Sequence, residues 1–301
     1  MGKKGKAQAG KPKKLTPKDV GKRLGVLAKK LEEETKGADL FAPLPPTEDC
    51  AICLVPLSRL NSEVFYGACC GNDICWACYI EHKYSINKQN EEKSAGKKLA
   101  FTCPFCREPN PNSDEEILCR LQARCLQNDH IALGLMGEVY RVGQFGTAKD
   151  HLKALHYLIQ AVELGSPDAC TRIGTSYALD KGVSVDREKS TLFRQAGALR
   201  GDVLGRNNIG CAEYFDLGNH EIGIRHWKIA AEAGDQVSLN NLRDIFNNVD
   251  GNMPGKEFIG KEEMDTIYRS GHDAQMEIKT EEREKHQPFF ELRRRILNFT
   301  G

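Results

Sequence analysis

A repeat of about 36 residues constrains the fold of this chain more than any other feature of its sequence. Three columns of identical residues recur at matching intervals through the middle of the chain. The members are Tyr140, Tyr177 and Tyr214, then Gly137, Gly174 and Gly210, then Gly165, Gly201 and Gly234. Self-similarity at a period of about 20–50 residues is the signature of repeat architectures. The sequence therefore predicts a stack of similar units over this region.

Each unit has the pattern of two helices. Residues that favour helix N-caps stand fifteen positions before each closing glycine, where they would open a second helix: Asp150, Asp186 and Asn219. A further set follows the glycines and is predicted to cap the next first helix: Asp168, Asp202 and Asp235. A column of small residues would let helices approach closely: Ala154, Ser190 and Gly223. The units are therefore predicted to be helical hairpins, each ended by a glycine in the left-handed conformation.

Two phrases of these units resemble the SEL-one-like repeat, a relative of the tetratricopeptide repeat. Residues 135–140 read LMGEVY and residues 172–177 read RIGTSY, and a third copy is slipped by one residue before Tyr214. The resemblance covers roughly residues 128–246. It implies an all-α solenoid of helical hairpins within residues 113–250, and the family uses the concave side of such a solenoid to bind proteins.

A second constraint is a group of eight cysteines within 57 residues. They form four pairs, three of which have the C-x2-C spacing: Cys50 with Cys53, Cys69 with Cys70, Cys75 with Cys78, and Cys103 with Cys106. A C-x2-C step forms a tight turn that brings two thiolates to one zinc ion at about 2.3 Å. Eight ligands complete two four-coordinate sites and leave no position for water. The pattern therefore predicts two structural zinc ions.

The order of these pairs resembles the RING finger family over roughly residues 50–107. The specific motifs are CAIC at residues 50–53 and CPFCR at residues 103–107. The resemblance implies a zinc finger within residues 47–110 whose two ions are cross-braced. The implied ligands are Cys50, Cys53, Cys75 and Cys78 for one ion, and Cys69, Cys70, Cys103 and Cys106 for the other. A segment this short has little core, so zinc would supply part of its folding free energy.

One ligand position departs from the usual RING pattern. The family commonly has a histidine three residues before the third pair, and this chain has Asn72 there. All-cysteine variants use cysteine instead, which favours both Cys69 and Cys70 as ligands. Adjacent side chains in extended backbone point in opposite directions, so both reach one ion only if the chain turns, and Gly71 permits such a turn. His82 is the alternative fourth ligand.

The resemblance also implies three residues that dock a ubiquitin-conjugating enzyme. Ile52 and Pro104 would form an apolar patch, and Arg107 would stand where the family has a cation that bonds to both enzyme and ubiquitin. Family members accelerate transfer by orienting the ubiquitin thioester and form no covalent intermediate. The alternative interpretation is that Ile52 and Pro104 only shape the turns and that Arg107 is a solvated charge. His82 occupies the position of a frequent family aromatic.

The ends of the chain differ in charge from its body. Residues 1–30 hold eleven Lys or Arg and one acid, Asp19, which leaves the other 271 residues with a net charge of −9. Residues 1–18 are predicted to be a disordered basic tail, whose contact with nucleic acid would be non-specific at most. Residues 19–46 are predicted to be an amphipathic helix that docks on the body, followed by a Pro-rich linker. Residues 256–301 are predicted to be a charged helix and tail.

These features predict a small zinc-stapled α+β RING domain followed by an all-α helical-hairpin repeat solenoid. The polar tract at residues 83–98 is predicted to be an inserted loop in the zinc domain. The RING resemblance implies a ubiquitin-protein ligase that holds a substrate or adaptor on its repeats. The alternative is a non-enzymatic scaffold that joins proteins. With no export signal and no apolar run of about 18 residues, we expect a cytoplasmic or nuclear location, reduced thiols and no membrane partner.

Overall fold

The structure, a computed structural model, describes residues 16–60, 63–92, 99–248 and 253–276. The described helices are α1 (Pro17–Thr35), α2 (Trp76–Glu92), α3 (Asp114–Cys125), α4 (His130–Val142), α5 (His151–Glu163), α6 (Pro167–Ala178), α7 (Arg187–Leu199), α8 (Val203–Cys211), α9 (His220–Glu232), α10 (Gln236–Asn247) and α11 (Lys261–Met276). The strands are β1 (Val64–Tyr66) and β2 (Asp73–Cys75). None of the described helices is long and apolar enough to cross a membrane.

Helix α1 packs across the second helices of the first two hairpins, α5 and α7. Its apolar residues Val20, Leu24, Leu27 and Leu31 are all buried in the largest core cluster. Burying each such side chain contributes about 1.5–3 kcal/mol, so docking accounts for the stability of this helix. The helix begins at Pro17, because the Thr16 hydroxyl accepts a hydrogen bond from the backbone N–H of Asp19 at 3.2 Å. Residues 1–15 of the predicted tail lie outside the described residues.

The described residues of the cysteine module, residues 47–110, form a hairpin and one helix and otherwise little regular structure. Strands β1 and β2 pair antiparallel, with Val64 opposite Cys75 and Tyr66 opposite Asp73. Helix α2 follows β2 directly and continues to residue 92, so the predicted loop at residues 83–98 is wrong over its first ten residues. Residues 77–92 contain neither Gly nor Pro and are rich in Lys, Gln and Glu, which favour helix. Residues 93–98 lie outside the described residues.

The solenoid, residues 114–276, stacks four helical hairpins behind α3: α4 with α5, α6 with α7, α8 with α9, and α10 with α11. The predicted glycine and small-residue columns face each other inside the first three hairpins. A Cβ added at Gly174 would lie 2.8 Å from the carbonyl oxygen of Ser190, and one at Gly210 would lie 3.0 Å from that of Gly223. The helices approach too closely there for any side chain, which confirms the predicted role of the columns.

The predicted caps of the second helices are present, and one predicted cap of a first helix is wrong. Asp150 and Asp186 accept hydrogen bonds from backbone N–H groups of α5 and α7. Asn219 stands at the N-cap of α9, but its side chain donates to Glu213 and makes no capping bond to the helix. Asp202 and Asp235 cap α8 and α10, whereas Ser166 caps α6 in place of Asp168. The cap is the residue directly after each left-handed glycine, and at Gly165 that residue is serine. Asp168 instead pairs with Arg172 at 2.6 Å.

The slip of one residue before Tyr214 has a local cause. Residues Ala212–Asp216 form a π-helical turn, in which the backbone N–H of Leu217 bonds to the carbonyl of Ala212 at 3.1 Å. A π turn absorbs one extra residue in a helix. Tyr214 therefore returns to the buried position that Tyr177 holds in the preceding hairpin.

The module rests on the first helices of the solenoid through a shared polar centre. Asp129 caps α4, accepts a hydrogen bond from the Tyr66 hydroxyl at 2.7 Å, and pairs with Arg124 at 2.8 Å. These donors hold the pKa of Asp129 below its usual value although burial opposes this. Ala68 packs beside them in an apolar cluster with Met136 of α4. The two parts are thus joined by a satisfied, partly buried network.

Candidate metal centre

Four thiols from three separate elements meet at the first candidate site. Cys50 and Cys53 come from the turn at residues 50–53, Cys75 ends β2, and Cys78 lies in the first turn of α2. Their sulfur atoms all lie within 4.8 Å of one another, and the Sγ atoms of Cys53 and Cys75 are 3.7 Å apart. The β-hairpin therefore brings the third pair to the first.

The second site joins the adjacent pair Cys69 and Cys70 to Cys103 and Cys106. The four sulfur atoms again lie within 4.8 Å of one another. The Sγ atoms of Cys70 and Cys103 are 3.9 Å apart, and those of Cys69 and Cys106 are 3.4 Å apart. Both neighbours reach one point because the chain turns sharply at Gly71, which has a φ of 75° and donates to the carbonyl of Gly67 at 2.7 Å.

The spacing of these sulfur atoms fits zinc. In a tetrahedral site with Zn–S bonds of about 2.3 Å, neighbouring sulfur atoms are about 3.8 Å apart. The three separations above lie within 0.4 Å of that value. Cys50, Cys53, Cys75 and Cys78 would hold one ion, and Cys69, Cys70, Cys103 and Cys106 the other. Zn²⁺ in such a closed site supplies cross-linking and no open coordination position.

The two sites interleave along the chain. The first uses residues between 50 and 78, and the second uses residues between 69 and 106, so neither can be cut out as a continuous segment. His82 belongs to neither cluster. Its Nε2 atom lies 3.1 Å from the Thr102 hydroxyl, and its Nδ1 atom lies 3.1 Å from the Arg107 guanidinium. The geometry places Cys69, and not His82, at the fourth position of the second cluster.

Backbone N–H groups aim at the sulfur atoms and favour their thiolate forms. The Cys50 sulfur accepts from the N–H of Cys75 at 3.3 Å and from that of Ile52 at 3.5 Å. Burial raises the pKa of Cys50, but these N–H groups and that of Cys53 outweigh burial and lower the pKa to about 7. Burial and the neighbouring thiols raise the pKa of Cys69 and Cys78. The negative charge of one thiolate thus disfavours ionisation of the neighbouring thiols, and a bound divalent cation would remove that repulsion.

The two C-x2-C turns are copies of each other, which sequence reasoning missed. The backbone N–H of Cys50 donates to the carbonyl of Val55 at 2.8 Å, and the backbone N–H of Cys103 donates to the carbonyl of Glu108 at 2.7 Å. The residue after each second cysteine is left-handed, with φ of 58° at Leu54 and 64° at Arg107. A shared C-x2-C-x2-P pattern, with its proline paired back across the turn, was the available signal.

This correspondence changes which residues form the predicted apolar patch. It matches Ile52 with Phe105 and Ala51 with Pro104. Ile52 is 42% exposed and Phe105 is 46% exposed, whereas Pro104 is buried and offers no surface to a partner. Arg107 is exposed beside His82. The accessible set on these turns is therefore Ile52, Phe105 and Arg107, together with the exposed Leu54.

Comparison with known proteins identifies solved structures that are similar to this chain. No protein-family model and no curated protein matches the chain. A Sel1 repeat protein from Oxalobacter formigenes is 25% identical over 54% of this chain and 64% of that one, with a TM-score of 0.44. The antigen c5321 of uropathogenic Escherichia coli, described as displaying an SLR fold, is 18% identical over 66% of this chain and 41% of that one, with a TM-score of 0.42. The chain thus spans less than two thirds of either protein.

Proposed function

We propose that this protein is a RING-type ubiquitin-protein ligase. Its zinc-loaded cysteine module would dock a ubiquitin-conjugating enzyme, and its solenoid would hold a protein substrate or adaptor. The observation that carries the proposal is the pair of interleaved four-sulfur clusters, because each ties together pieces of chain that are distant in sequence. Such cross-linking makes a rigid platform from a segment with a very small apolar core.

The exposed residues of the two C-x2-C turns supply a docking surface of suitable chemistry. Ile52 and Phe105 project apolar side chains from equivalent positions. Arg107 follows the last cysteine, and its planar group has five N–H donors that can bond to two partners at once. The platform would hold a thioester in one reactive orientation, and orientation alone can lower a barrier by several kcal/mol. No side chain of this chain needs to form a covalent bond.

The test is discharge of a ubiquitin-loaded conjugating enzyme onto free lysine by the zinc-loaded full chain. We expect discharge with at least one enzyme of a broad panel and a loss of about tenfold or more in Arg107→Ala. Arg187→Ala, which removes an exposed arginine of the solenoid, is the matched control and should leave the rate unchanged. Absence of discharge across the panel would reject the ligase.

A non-enzymatic scaffold is the second candidate, and the contact between His82 and Arg107 favours it. That contact engages the guanidinium at 3.1 Å within the module itself. A scaffold would bind partner proteins through the module and the solenoid with zinc present and would show no discharge. His82→Ala separates the two functions, because freeing Arg107 should speed a ligase and should leave partner binding by a scaffold unchanged.

A further inference from the structure

A cleft of about 550 Å³ lies between the cysteine module and the solenoid. Phe65 and Trp76 line its module side, and their ring centroids are 6.4 Å apart. Leu135 of α4 lines the opposite side and is 38% exposed. The cleft therefore offers an apolar binding surface that can accommodate one or two side chains.

A polar cavity of about 380 Å³ adjoins this cleft. The two cavities share Glu48, Asp73, His130 and Ile131 in their walls, and together they are called the groove. Glu48 and Asp73 therefore line the aromatic cleft as well as the polar cavity. Asp49 also lines the polar part. A segment lying in the groove would meet apolar surface at one end and carboxylates at the other.

The charges of the groove are unbalanced. Glu48, Asp49 and Asp73 form no ion pair and no side-chain hydrogen bond within the described part of the chain. The arginines of the walls are already engaged. Arg124 pairs with Asp129, Arg172 with Asp168 and Glu138, and Arg200 with Glu34. Arg59 donates to the neutral carbonyl of Pro45 and keeps its positive charge. Three carboxylates without a cationic partner thus face one such arginine, and the net charge that meets an occupant is negative.

The groove is also preformed. The polar centre around Asp129 joins its two walls, and the bond from Arg59 to Pro45 closes its end near Gly201. A binding surface held in place before its ligand arrives loses little conformational entropy on binding. A short segment can therefore bind there with useful affinity.

We propose that this groove binds an extended segment of a partner protein that presents a Lys or Arg side chain to Asp73 and Glu48 and an apolar side chain to Phe65 and Trp76. Carboxylates select the cation, and the aromatic pair selects its apolar neighbour. The proposal shares with the proposed function only the binding of a partner protein. It does not depend on ubiquitin transfer, so either can fail alone.

The experiment selects a displayed library of random peptides against the zinc-loaded full chain and measures binding of the selected peptides by fluorescence anisotropy. We expect sequences in which a basic residue stands near an apolar one. Asp73→Asn should weaken their binding about tenfold, as loss of one charge pair does. Glu115→Gln is the matched control, because it removes an exposed carboxylate of α3 outside the groove.

Zinc content measured beside each affinity shows whether Asp73→Asn leaves the module folded. If that variant loses metal, Glu48→Gln replaces it, because Glu48 is exposed and the substitution leaves its backbone bond from the Leu57 N–H in place. Peptides without a basic residue, peptides that bind both variants as well as the unchanged chain, or a library without binders would overturn the proposal.

Discussion

The cysteine module and the solenoid reach a stable fold by different chemistry. Among the described residues of the module, the buried cluster has five members, of which three are cysteines: Cys50, Leu57, Ile74, Cys75 and Cys103. The first cluster of the solenoid and α1 has seventeen buried members, nearly all aliphatic or aromatic. Apolar burial therefore suffices for the solenoid and is far too small for the module. We therefore predict that the stability of the module depends on bound metal, whereas the stability of the solenoid depends on side-chain packing.

Removal of zinc should produce the largest difference between the two parts. A chelator should unfold the module, because structural zinc contributes roughly 10–16 kcal/mol to the folding of such small domains. The helices of the solenoid should persist, so far-ultraviolet circular dichroism should keep most of its helical signal. Elemental analysis should find two zinc ions per chain before treatment. Fewer than two ions, or collapse of the helical signal together with the metal, would contradict the comparison.

A methyl group at a glycine of the solenoid tests the importance of packing. Gly174→Ala places a Cβ 2.8 Å from the carbonyl oxygen of Ser190, which is backbone and cannot move aside easily. We expect a loss of about 3 kcal/mol in the free energy of unfolding, measured with denaturant. Gly21→Ala on α1 is the control, because nothing lies within 4 Å of its Cβ. That variant should be neutral or gain up to about 1 kcal/mol from helix propensity, and equal losses in both would refute the packing argument.

A buried histidine should make the solenoid sensitive to acid. Burial, aided by Arg206 and Arg225, lowers the pKa of His226 from 6.5 to about 4, and its ring contacts Phe41 of the linker with centroids 4.9 Å apart. Because the folded protein disfavours the proton, stability is complete above pH 6.5 and falls as the pH drops towards 4. The loss at pH 5 should be about 2 kcal/mol. His226→Gln should flatten this part of the stability profile, and an unchanged profile would be the contrary result.

The smallest expected effect is the coupling between the second metal site and the stability of the solenoid. The turn that carries Cys70 lies beside Ala68, which packs against the buried cluster of α3 and α4, and a Cβ at Gly71 would collide with the Arg124 guanidinium. Cys70→Ser should therefore lower the melting temperature of the solenoid by about 2–4 °C, equivalent to roughly 1 kcal/mol. Cys53→Ser also loses one metal site and is the matched control, because the first cluster does not include this turn. Equal shifts would show that the sites do not differ in their coupling to the solenoid.

Several features of the fold were predictable from local patterns. The helical hairpins and their closing glycines follow from the residue columns, because a left-handed glycine and the cap after it depend on the backbone around them. The same logic matched aspartates and not the position directly after each glycine, so it assigned the α6 cap to Asp168 and missed Ser166. The loop predicted at residues 83–98 failed because polarity was weighed above helix propensity.

The site was predictable in part. The C-x2-C spacings identify the thiols of two turns, and the repeated C-x2-C-x2-P pattern would have matched Ile52 with Phe105 in place of Pro104. The choice between Cys69 and His82 was beyond local reasoning, because it depends on how the turn at Gly71 and helix α2 are positioned against residues 103–106. The groove between module and solenoid had no sequence signal, since its walls come from segments far apart in the chain.

The sequence by itself determined the number and spacing of the thiols, the period of the repeat and the positions where helices touch. These features are properties of short segments, where spacing and backbone conformation decide the outcome. Only the tertiary structure decided between Cys69 and His82 at the second cluster, where α1 docks, and that Asp129 joins the module to the solenoid. Those contacts arise when distant segments pack, and their energies depend on burial and charge pairing that no single segment contains.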